Sequence, residues 1–557
     1  MHKSGFSRVD YVAKRLEERS SASSRSGVPF ITAVQDDKGG GIVTKAVTKL
    51  RRGDCVLQCC AAGIAIDSPF RASRCGYCAQ PCQDGTLCSE CGIVGVCDRC
   101  KSGGAYKWHS SSGECRALCA LVRAFSIVFG LISEDSTTAT GIASVDVADQ
   151  AKEIDSSYII AVRLLHRRWF DGTKSSDESE GDSSIFPSID WKLFDSLHKT
   201  RVTSEHYDLA ITAICEKMNA SLLMLSKNTE GDNTSNQSNG FVITKDAFDD
   251  VLERVVGCGH AVVDLTLGLG SQAIGRAIFA EHSFYNHSCS PNAFISCRIG
   301  ITDATSPVLD SCKSCALVAS VHCLDDIESG NDVCLSYIPT SGLSRFERQQ
   351  HLHDGYHFKC QCRACRLDEG DETAKEWDRC LAVPEGSDLE SLRDVQYGVN
   401  HTLVESSDRD EIERSIGLVR MVANGVKNQG IASSHECAME VHRLLSVGYA
   451  ALDKFDNAIR EHEAFFSSVE KIADLFDPIA LATQHIEYAL VLHKSGDAEG
   501  ERSELKAAKL LATKALGQDH PYALAIERKL QALGSGADQP HAKRQKTEAQ
   551  DNATRND

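Results

Sequence analysis

The spacing of apolar residues divides the chain into strand-rich and helical parts. Between residues 28 and 70, short β-branched and apolar runs alternate with Gly and Asp turns, which predicts short strands. Similar β-rich runs return between residues 240 and 337. Longer apolar periodicities at 117–132 and 148–170 are typical of helices. From residue 371 to 533 helical patterns dominate, so we expect an α+β chain that ends in an all-helical domain.

The helical part contains a weak internal repeat. Residues 449–458 (YAALDKFDNA) are echoed by residues 488–498 (YALVLHKSGDA), and a proline stop at Pro478 or Pro521 follows each copy. A spacing of about 40 residues is typical of stacked antiparallel helix pairs. We therefore predict a helical repeat domain of the tetratricopeptide kind.

Polar stretches interrupt the ordered pattern. Residues 171–184 and 226–239 are rich in Ser, Asp, Asn and Gly, and a further loop is predicted near 302–315. The tail after residue 534 lacks an apolar pattern and contains the basic run KRQK at 543–546. That run is compatible with nuclear import, and a chance occurrence is the alternative interpretation. We expect the protein in both nucleus and cytoplasm.

Length and composition exclude several classes of protein. The chain has 557 residues, with 42% hydrophobic and 25% charged, which favours several folded domains over a disordered chain. The longest apolar stretch, residues 124–132, is much shorter than the ~20 residues that cross a bilayer. Residues 1–26 show no signal peptide, so we expect the protein to stay inside the cell. The net charge of −18 argues against direct DNA binding and favours a basic partner.

Cysteine is the most informative residue type. The chain has 25 cysteines, and twelve of them lie between Cys55 and Cys119. Reduced thiols in close pairs are typical metal ligands, and eight candidates come in order after residue 74. These candidates are Cys75, Cys78, Cys88, Cys91, Cys97, Cys100, His109 and Cys115. They predict two tetrahedral zinc sites, whereas Cys82 and Cys119 fall outside the pattern. Buried free thiols are the alternative interpretation.

A second cysteine cluster lies further along the chain. Cys360, Cys362 and Cys365 offer three thiolates within six residues, and a tetrahedral zinc site needs a fourth ligand from elsewhere. Cys312 and Cys315 form another close pair, but they stand alone in the predicted loop. We interpret that pair as coincidental.

Three motifs together indicate a family. Residues 283–292 read SFYNHSCSPN, residues 335–337 read LSY, and residues 356–365 read YHFKCQCRAC. This set closely resembles the SET domain of protein lysine methyltransferases. The earlier cysteine pattern, which ends in Trp108-His109 and Glu114-Cys115, resembles a MYND zinc finger. The two together resemble the SET and MYND domain (SMYD) family over roughly residues 28–370.

The resemblance implies roles for individual residues. One zinc would be held by Cys75, Cys78, Cys97 and Cys100, another by Cys88, Cys91, His109 and Cys115, and a third by Cys289, Cys360, Cys362 and Cys365. Binding of S-adenosylmethionine would involve Lys38, Gly39, Gly40, Gly41, Asn239, Asn286, His287 and Phe358. Phe241, Tyr337 and Tyr356 would line the channel for the substrate lysine, with Tyr337 as the catalytic residue.

A competing motif points to a different methyltransferase fold. Residues 261–270 (AVVDLTLGLG) resemble the strand and glycine-rich turn of Rossmann-type enzymes. No alternation of strands and helices surrounds them, so we interpret them as a strand and turn inside the SET fold.

The resemblance also implies an architecture. It comprises an N-terminal extension (1–27), the first part of the SET domain (28–74), the MYND finger (75–119), a helical insert with polar loops (120–238), the catalytic part of the SET domain (239–358), a post-SET zinc motif (359–370), a helical repeat domain (371–536) that forms one wall of the substrate groove, and a disordered tail (537–557). The implied activity is S-adenosylmethionine-dependent methylation of lysines in histone or other proteins, with three zinc ions. The implied partners are protein substrates and peptides, proline-rich ones among them, for the finger. The alternative is a catalytically weak scaffold whose finger and helical repeats recruit partners in transcriptional regulation.

Overall fold

The computed structural model describes residues 7–23, 29–35, 41–82, 87–131, 150–173, 186, 188–200, 205–227, 241–265, 272–299, 316–368 and 370–534. These residues form two compact units. Unit 1 holds the described residues up to 338 together with 349–360, and unit 2 holds 339–348 and 361–534. Several predictions concern Lys38, Gly39, Gly40, Asn239, the pair Cys312 and Cys315, and the basic run at 543–546, all of which lie outside the described residues.

The strands of unit 1 are short and come from distant parts of the chain. They are β1 (Ile31–Gln35), β2 (Ile42–Ala46), β3 (Cys55–Cys60), β4 (Gly63–Ile66), β5 (Gly259–Asp264), β6 (Gln272–Ile278), β7 (Asn286–His287), β8 (Ala293–Arg298), β9 (Val318–Cys323) and β10 (Cys334–Leu335). β1 and β2 form an antiparallel pair, and β3-β9-β8 and β4-β6-β5 form antiparallel sheets. β7 and β10 form a parallel pair. The strand prediction for residues 28–70 is confirmed.

Helices pack around these sheets. They are α1 (Arg8–Ser23), α2 (Asp98–Ser102), α3 (Ala105–Ser111), α4 (Glu114–Val128), α5 (Ser156–Thr173), α6 (Trp191–Asp195), α7 (Glu205–Lys227) and α8 (Lys245–Cys258). A further helix, α9 (Arg345–Tyr356), has residues 345–348 in unit 2 and residues 349–356 in unit 1. Side chains cap some of them: Asp190 accepts the amide of Leu193 at the start of α6, and Thr244 accepts that of Ala247 at α8. A core of buried apolar residues joins α4, α5 and α8 to the strands.

The Rossmann-like motif is part of an antiparallel sheet. β5 pairs antiparallel with β6, which also pairs antiparallel with β4. A Cβ at Gly275 in β6 would lie 2.2 Å from the carbonyl oxygen of Ala65 in β4, so only glycine permits this approach. A dinucleotide fold needs parallel strands joined by crossover helices. The interpretation of residues 261–264 as a strand within another fold is therefore confirmed.

Unit 2 is helical. Its helices are α10 (Arg363–Arg366), α11 (Glu372–Cys380), α12 (Leu389–Glu405), α13 (Arg409–Asn428), α14 (Glu436–Ala451), α15 (Phe455–Val469), α16 (Pro478–Ser495), α17 (Ala498–Leu516) and α18 (Pro521–Gly534). Pro478 and Pro521 are the first residues of helices, where a missing amide hydrogen costs nothing. The preceding helical segments end before each proline, in agreement with the predicted stops, and each proline also starts the next helix.

The same contact recurs between successive helix pairs of unit 2. Nδ1 of His442 lies 2.7 Å from Oε2 of Glu461, and Nδ1 of His485 lies 2.6 Å from Oε2 of Glu504. The two contacts are offset by 485 − 442 = 43 residues. This recurrence supports a helix-pair repeat, while its likeness to tetratricopeptide repeats stays a prediction. No described helix is long and apolar enough to cross a membrane.

Candidate active site and zinc centres

The first cysteine group has the dimensions of a tetrahedral zinc site. The sulfurs of Cys75, Cys78, Cys97 and Cys100 all lie within 4.8 Å of one another, and all four residues are buried. Sγ of Cys78 is 3.7 Å from that of Cys97 and 3.5 Å from that of Cys100. Zinc–sulfur bonds of 2.3 Å at tetrahedral angles separate two sulfurs by about 3.8 Å. The group therefore fits zinc, and its members are those that the family resemblance implies.

The second group contains the predicted histidine. Cys88, Cys91, His109 and Cys115 are buried, and their ligand atoms also lie within 4.8 Å of one another. Sγ of Cys88 is 3.6 Å from Sγ of Cys115, and Sγ of Cys91 is 3.6 Å from Nε2 of His109. A sulfur and a nitrogen on one tetrahedral zinc are about 3.6 Å apart. Nε2 is therefore the nitrogen that His109 presents to a metal.

A buried carboxylate orients this histidine. Oε2 of Glu114 lies 2.7 Å from Nδ1 of His109 and accepts the hydroxyl of Tyr77 at 2.6 Å. Oε1 accepts Nε of Arg163 at 2.8 Å. Burial alone raises a carboxyl pKa, but the charge of Arg163 and the bond to His109 outweigh it and lower the pKa of Glu114. Glu114 therefore stays ionised and keeps the Nδ1 proton of His109 away from the metal side.

Arg163 ties the zinc-binding region to the sheet and to α5. Its Nη1 donates to the carbonyls of Ile64 in β4 and Gly76, each at 2.6 Å. Its guanidinium also lies 4.7 Å from the ring centroid of Tyr77. Sequence reasoning missed both Glu114 and Arg163 as supports, because their roles depend on burial and on residues up to 99 positions away.

The third group that the resemblance implies draws its cysteines from both units. Cys289 and Cys360 lie in unit 1, and both are buried. Cys362 and Cys365 lie in unit 2, where Cys365 is buried and Cys362 is partly exposed. Four thiolates suit a structural zinc site, and their joint ligation of one zinc stays a prediction.

The segments around the third group are held by the parallel pair β7 and β10. The amide of Ser288 donates to the carbonyl of Leu335 at 2.9 Å. The side chain of Asn292 donates to the carbonyl of Asp332 and accepts the amide of Cys334, each at 2.8 Å. Asn292 therefore fixes the strand that precedes Tyr337, a supporting role that the sequence motif alone does not reveal.

His287 connects a zinc ligand to the predicted catalytic residue. Its Nδ1 accepts the backbone amide of Tyr337 at 3.0 Å, so the neutral ring carries its proton on Nε2. Nε2 lies 3.3 Å from Sγ of Cys289. A proton on Nε2 can be donated to a metal-bound thiolate, so the imidazole links the zinc group with the backbone of Tyr337.

Three rings surround Tyr337, and the four together form what we call the aromatic cluster: His287, Tyr337, Tyr356 and Phe358. The ring centroid of Tyr337 lies 5.4 Å from that of His287, 5.0 Å from that of Tyr356 and 6.4 Å from that of Phe358. The hydroxyl of Tyr356 donates to the carbonyl of Tyr337 at 3.1 Å. The cluster brings together four predicted site residues, and all four are partly exposed.

The hydroxyl of Tyr337 has a defined orientation. It donates to the backbone carbonyl of Tyr285, which leaves lone pairs of its oxygen for another donor. Burial raises the pKa of Tyr337, with a smaller effect of the neighbouring Cys258 and Cys334, so the phenol stays neutral. Among the described residues the side chain of Asn286 has no hydrogen-bond partner, although it is half-buried. Its amide is available to a ligand.

Phe241 packs against aromatic residues of α5. Its ring is 8% exposed and contacts His166 at 5.3 Å and Trp169 at 5.5 Å between centroids, both on α5. Among the described residues it has no ring contact with Tyr337 or Tyr356, and its place in the lysine channel stays a prediction. Gly41 is exposed with open space around it, but its predicted companions Lys38, Gly39 and Gly40 are not described.

Comparison with known proteins identifies lysine methyltransferases as relatives. The chain is 34% identical over 103 residues to the histone-lysine N-methyltransferase ASHR2 of Arabidopsis thaliana, covering 18% of this chain and 23% of that protein. It is 21% identical over 506 residues to the N-lysine methyltransferase SMYD2-A of Danio rerio, covering 89% and 96%. It is 22% identical over 266 residues to SMYD2 of Bos taurus, covering 46% and 55%. No family model matches.

The matched lengths differ among these relatives. The match covers about half of the bovine protein and under a quarter of the Arabidopsis protein, but nearly all of the zebrafish protein. A solved SET domain of LSMT bound to lysine and AdoHcy aligns with 84% of this chain and 92% of its own, at 12% identity and a TM-score of 0.28. The chain is a distant relative of the SMYD-type SET-domain lysine methyltransferases.

Proposed function

We propose that the protein transfers methyl groups from S-adenosylmethionine to lysine side chains of other proteins. The observation that carries this proposal is the aromatic cluster, in which Tyr337, His287 and Phe358 meet beside the Cys289 thiol. The names of the sequence relatives, which are N-lysine methyltransferases, support the same activity.

Residues of this chain fit the cofactor. The unpartnered amide of Asn286 and the partly exposed ring of His287 lie next to each other on β7. We expect both, with Phe358, to contact S-adenosylmethionine, which supplies an electrophilic methyl group on a sulfonium. Lys38, Gly39, Gly40, Gly41 and Asn239 stay predictions for the same pocket.

The aromatic cluster also suits the side-chain amine of a substrate lysine. Aromatic rings disfavour the charged form of lysine, whose ordinary pKa is about 10.4, and so favour the neutral nucleophile. Tyr337 donates its hydroxyl proton to Tyr285, so its oxygen can accept an N–H of the lysine and orient the nitrogen lone pair. Tyr356 donates to the carbonyl of Tyr337 and holds that residue in place. The residues act by alignment, so no covalent nucleophile is needed.

We further propose that residues 75–119 form a MYND-type finger with two zinc ions, supported by the interleaved ligand groups. The proposal also includes peptide partners for that finger and histones among the substrates. It further includes a tetratricopeptide-like role of unit 2 in substrate choice and a location in both nucleus and cytoplasm. The scaffold alternative predicts the same finger without cofactor binding.

The variant Tyr337→Phe tests the proposal. With labelled S-adenosylmethionine and a cell protein extract, we expect the wild-type chain to label lysines, located by mass spectrometry. The variant should lose most of this rate yet keep the thermal shift caused by the cofactor, because the hydroxyl acts mainly on the aligned transition state. Saturating cofactor at 100 times its Kd should add about 2.7 kcal/mol of stability.

Tyr397→Phe is the matched control, since Tyr397 is 85% exposed and lies in unit 2. It should behave as the wild type in both measurements. Absence of both labelling and a cofactor-dependent thermal shift in the wild-type chain would refute the enzyme and favour the scaffold. Full labelling by Tyr337→Phe would refute the role of its hydroxyl.

A further inference from the structure

A basic groove lies on unit 1 outside the aromatic cluster. Its volume is about 630 Å³, and α1, α6, the segment after α6, and α8 line it. The charged side chains that line it are Arg8, Lys192, Asp195, His198, Lys199 and Arg254. Basic groups therefore outnumber acidic ones in this groove, although the whole chain carries a net charge of −18.

The acidic groups near the groove are already engaged. Both carboxylate oxygens of Asp195 accept the guanidinium of Arg168, at 2.8 Å and 2.7 Å. Asp250, which neighbours the groove, pairs with both Lys199 and Arg254. The single negative charge of Asp250 is thus shared by Lys199 and Arg254, which leaves about one positive charge uncompensated.

Two further cations have no carboxylate partner among the described residues. The guanidinium of Arg8 donates to the carbonyl of Ser196, and the ammonium of Lys192 lies 3.8 Å from the ring centroid of Tyr11. Both side chains are exposed. The groove therefore presents a net positive charge to solvent, and an anion that binds there displaces no internal partner.

The groove is linked to the aromatic cluster through Cys258 and His198. Sγ of Cys258 donates to the backbone carbonyl of His198 at 3.5 Å, and Cys258 is among the groups that raise the pKa of Tyr337. Burial, followed by the charges of Arg8 and His357, lowers the pKa of His198. His357 lies between two residues of the aromatic cluster, Tyr356 and Phe358. The groove and the aromatic cluster are therefore near enough for their charges to influence each other.

We propose that this groove binds acidic side chains that flank the target lysine of the protein substrate. The inference builds on the proposed function and narrows its substrate class to lysines with nearby Asp or Glu. Ion pairs at the edge of an interface add specificity and speed association more than they add affinity. The groove would thus select among exposed lysines.

The groove suits carboxylates better than nucleic acid. Binding of single strands uses exposed aromatic faces for base stacking, but Lys192 already covers the ring of Tyr11. The net charge of −18 also opposes a phosphate backbone over a long contact. A short acidic segment avoids both costs.

Binding of two matched peptides to the full chain tests the inference. Each is a fluorescent 12-residue peptide with one central lysine, flanked by three Glu in the first peptide and by three Gln in the second. Fluorescence anisotropy without S-adenosylmethionine should show about 5- to 30-fold tighter binding of the Glu peptide at low salt. The difference should shrink at 0.5 M salt, where charges are screened.

The double variant Arg8→Glu with Lys192→Glu should abolish the preference for the Glu peptide. The control, Arg51→Glu with Arg52→Glu, makes the same change of charge at exposed positions outside the groove and should keep the preference. The milder variant Lys192→Gln should reduce the preference for the Glu peptide about threefold. It provides the same test if the double variant does not fold.

Equal binding of the two peptides by the wild-type chain, or equal loss in groove and control variants, would overturn the inference. The inference would also be overturned if a single-stranded oligonucleotide bound more tightly than the Glu peptide and the groove variant abolished that binding. Because the measurement needs no methyl transfer, a preference for the Glu peptide in a chain that labels no lysine would refute the proposed function while supporting an acidic-peptide site.

Discussion

Replacing Glu114 by Gln should destabilise unit 1. The carboxylate accepts from three donors, on His109, Tyr77 and Arg163, and its side chain is 3% exposed. Gln keeps one acceptor oxygen but places an NH₂ group where the second oxygen accepted a hydrogen bond. Because Gln is neutral, Arg163 also loses its only carboxylate partner among the described residues. Removing one partner of a buried ion pair costs about 3–5 kcal/mol. That is a large share of a typical domain's stability of about 5–15 kcal/mol.

The same change should weaken the second zinc group. Without the carboxylate, the Nδ1 proton of His109 is no longer held, and the ring can rotate Nε2 away from Cys91. Loss of such a partner typically reduces metal affinity about 10- to 100-fold. The first cysteine group does not contact Glu114 and should keep its zinc.

Competition with a colorimetric zinc chelator, together with urea unfolding, measures both effects. Elemental analysis of the wild-type chain should find close to three equivalents of zinc, as expected for three ligand groups. Glu114→Gln should release one equivalent at lower chelator concentration than the wild type. The control Asp98→Asn makes the same chemical change at an exposed position of α2 and should shift stability by under about 0.5 kcal/mol. If Glu114→Gln retained wild-type zinc affinity and urea midpoint, the reasoning about its buried network would be wrong.

Two further predictions concern unit 2. Burial raises the pKa of Glu487 to about 7, with Glu440 adding to the effect and Arg443 opposing it, so the folded state binds this proton more tightly than the unfolded state. The stability that this proton adds is therefore complete below the unfolded pKa of about 4.3 and is lost as pH rises through 7, by at most about 3–4 kcal/mol. In urea unfolding, Glu487→Gln should remove this pH dependence, whereas the exposed control Glu463→Gln should keep it. Parallel pH profiles of the two variants would contradict the assignment. A Cβ at Gly342 (φ +78°) would lie 2.8 Å from the backbone nitrogen of Glu436, so Gly342→Ala should cost about 3 kcal/mol. Gly330→Ala (φ +86°, open space) should cost only about 1 kcal/mol, and equal melting temperatures of the two variants would refute the steric argument.

Features that depend on local spacing could be predicted from the sequence. Six of the eight candidate zinc ligands from Cys75 to Cys115 come in close pairs, and the structure groups all eight as the resemblance implied. Features that depend on packing could not be predicted. Phe241 packs against His166 and Trp169 because α5 covers it, and no spacing signals that contact. The link between His287 and Tyr337 crosses 50 residues and exists only because β7 and β10 pair.

Strand pairing in unit 1 has a consequence for synthesis of the chain on the ribosome. β3 pairs with β9, so Cys59 cannot pair until Ala319 has been synthesised, which is 319 − 59 = 260 residues later. At about 5–20 residues per second, that delay is roughly 10–50 s. The zinc ligands between Cys75 and Cys115 are complete long before then, so metal capture can order this region while β3 and β4 still expose unpaired edges. Zinc supply during translation, and not only afterwards, should therefore govern how much of the chain escapes aggregation.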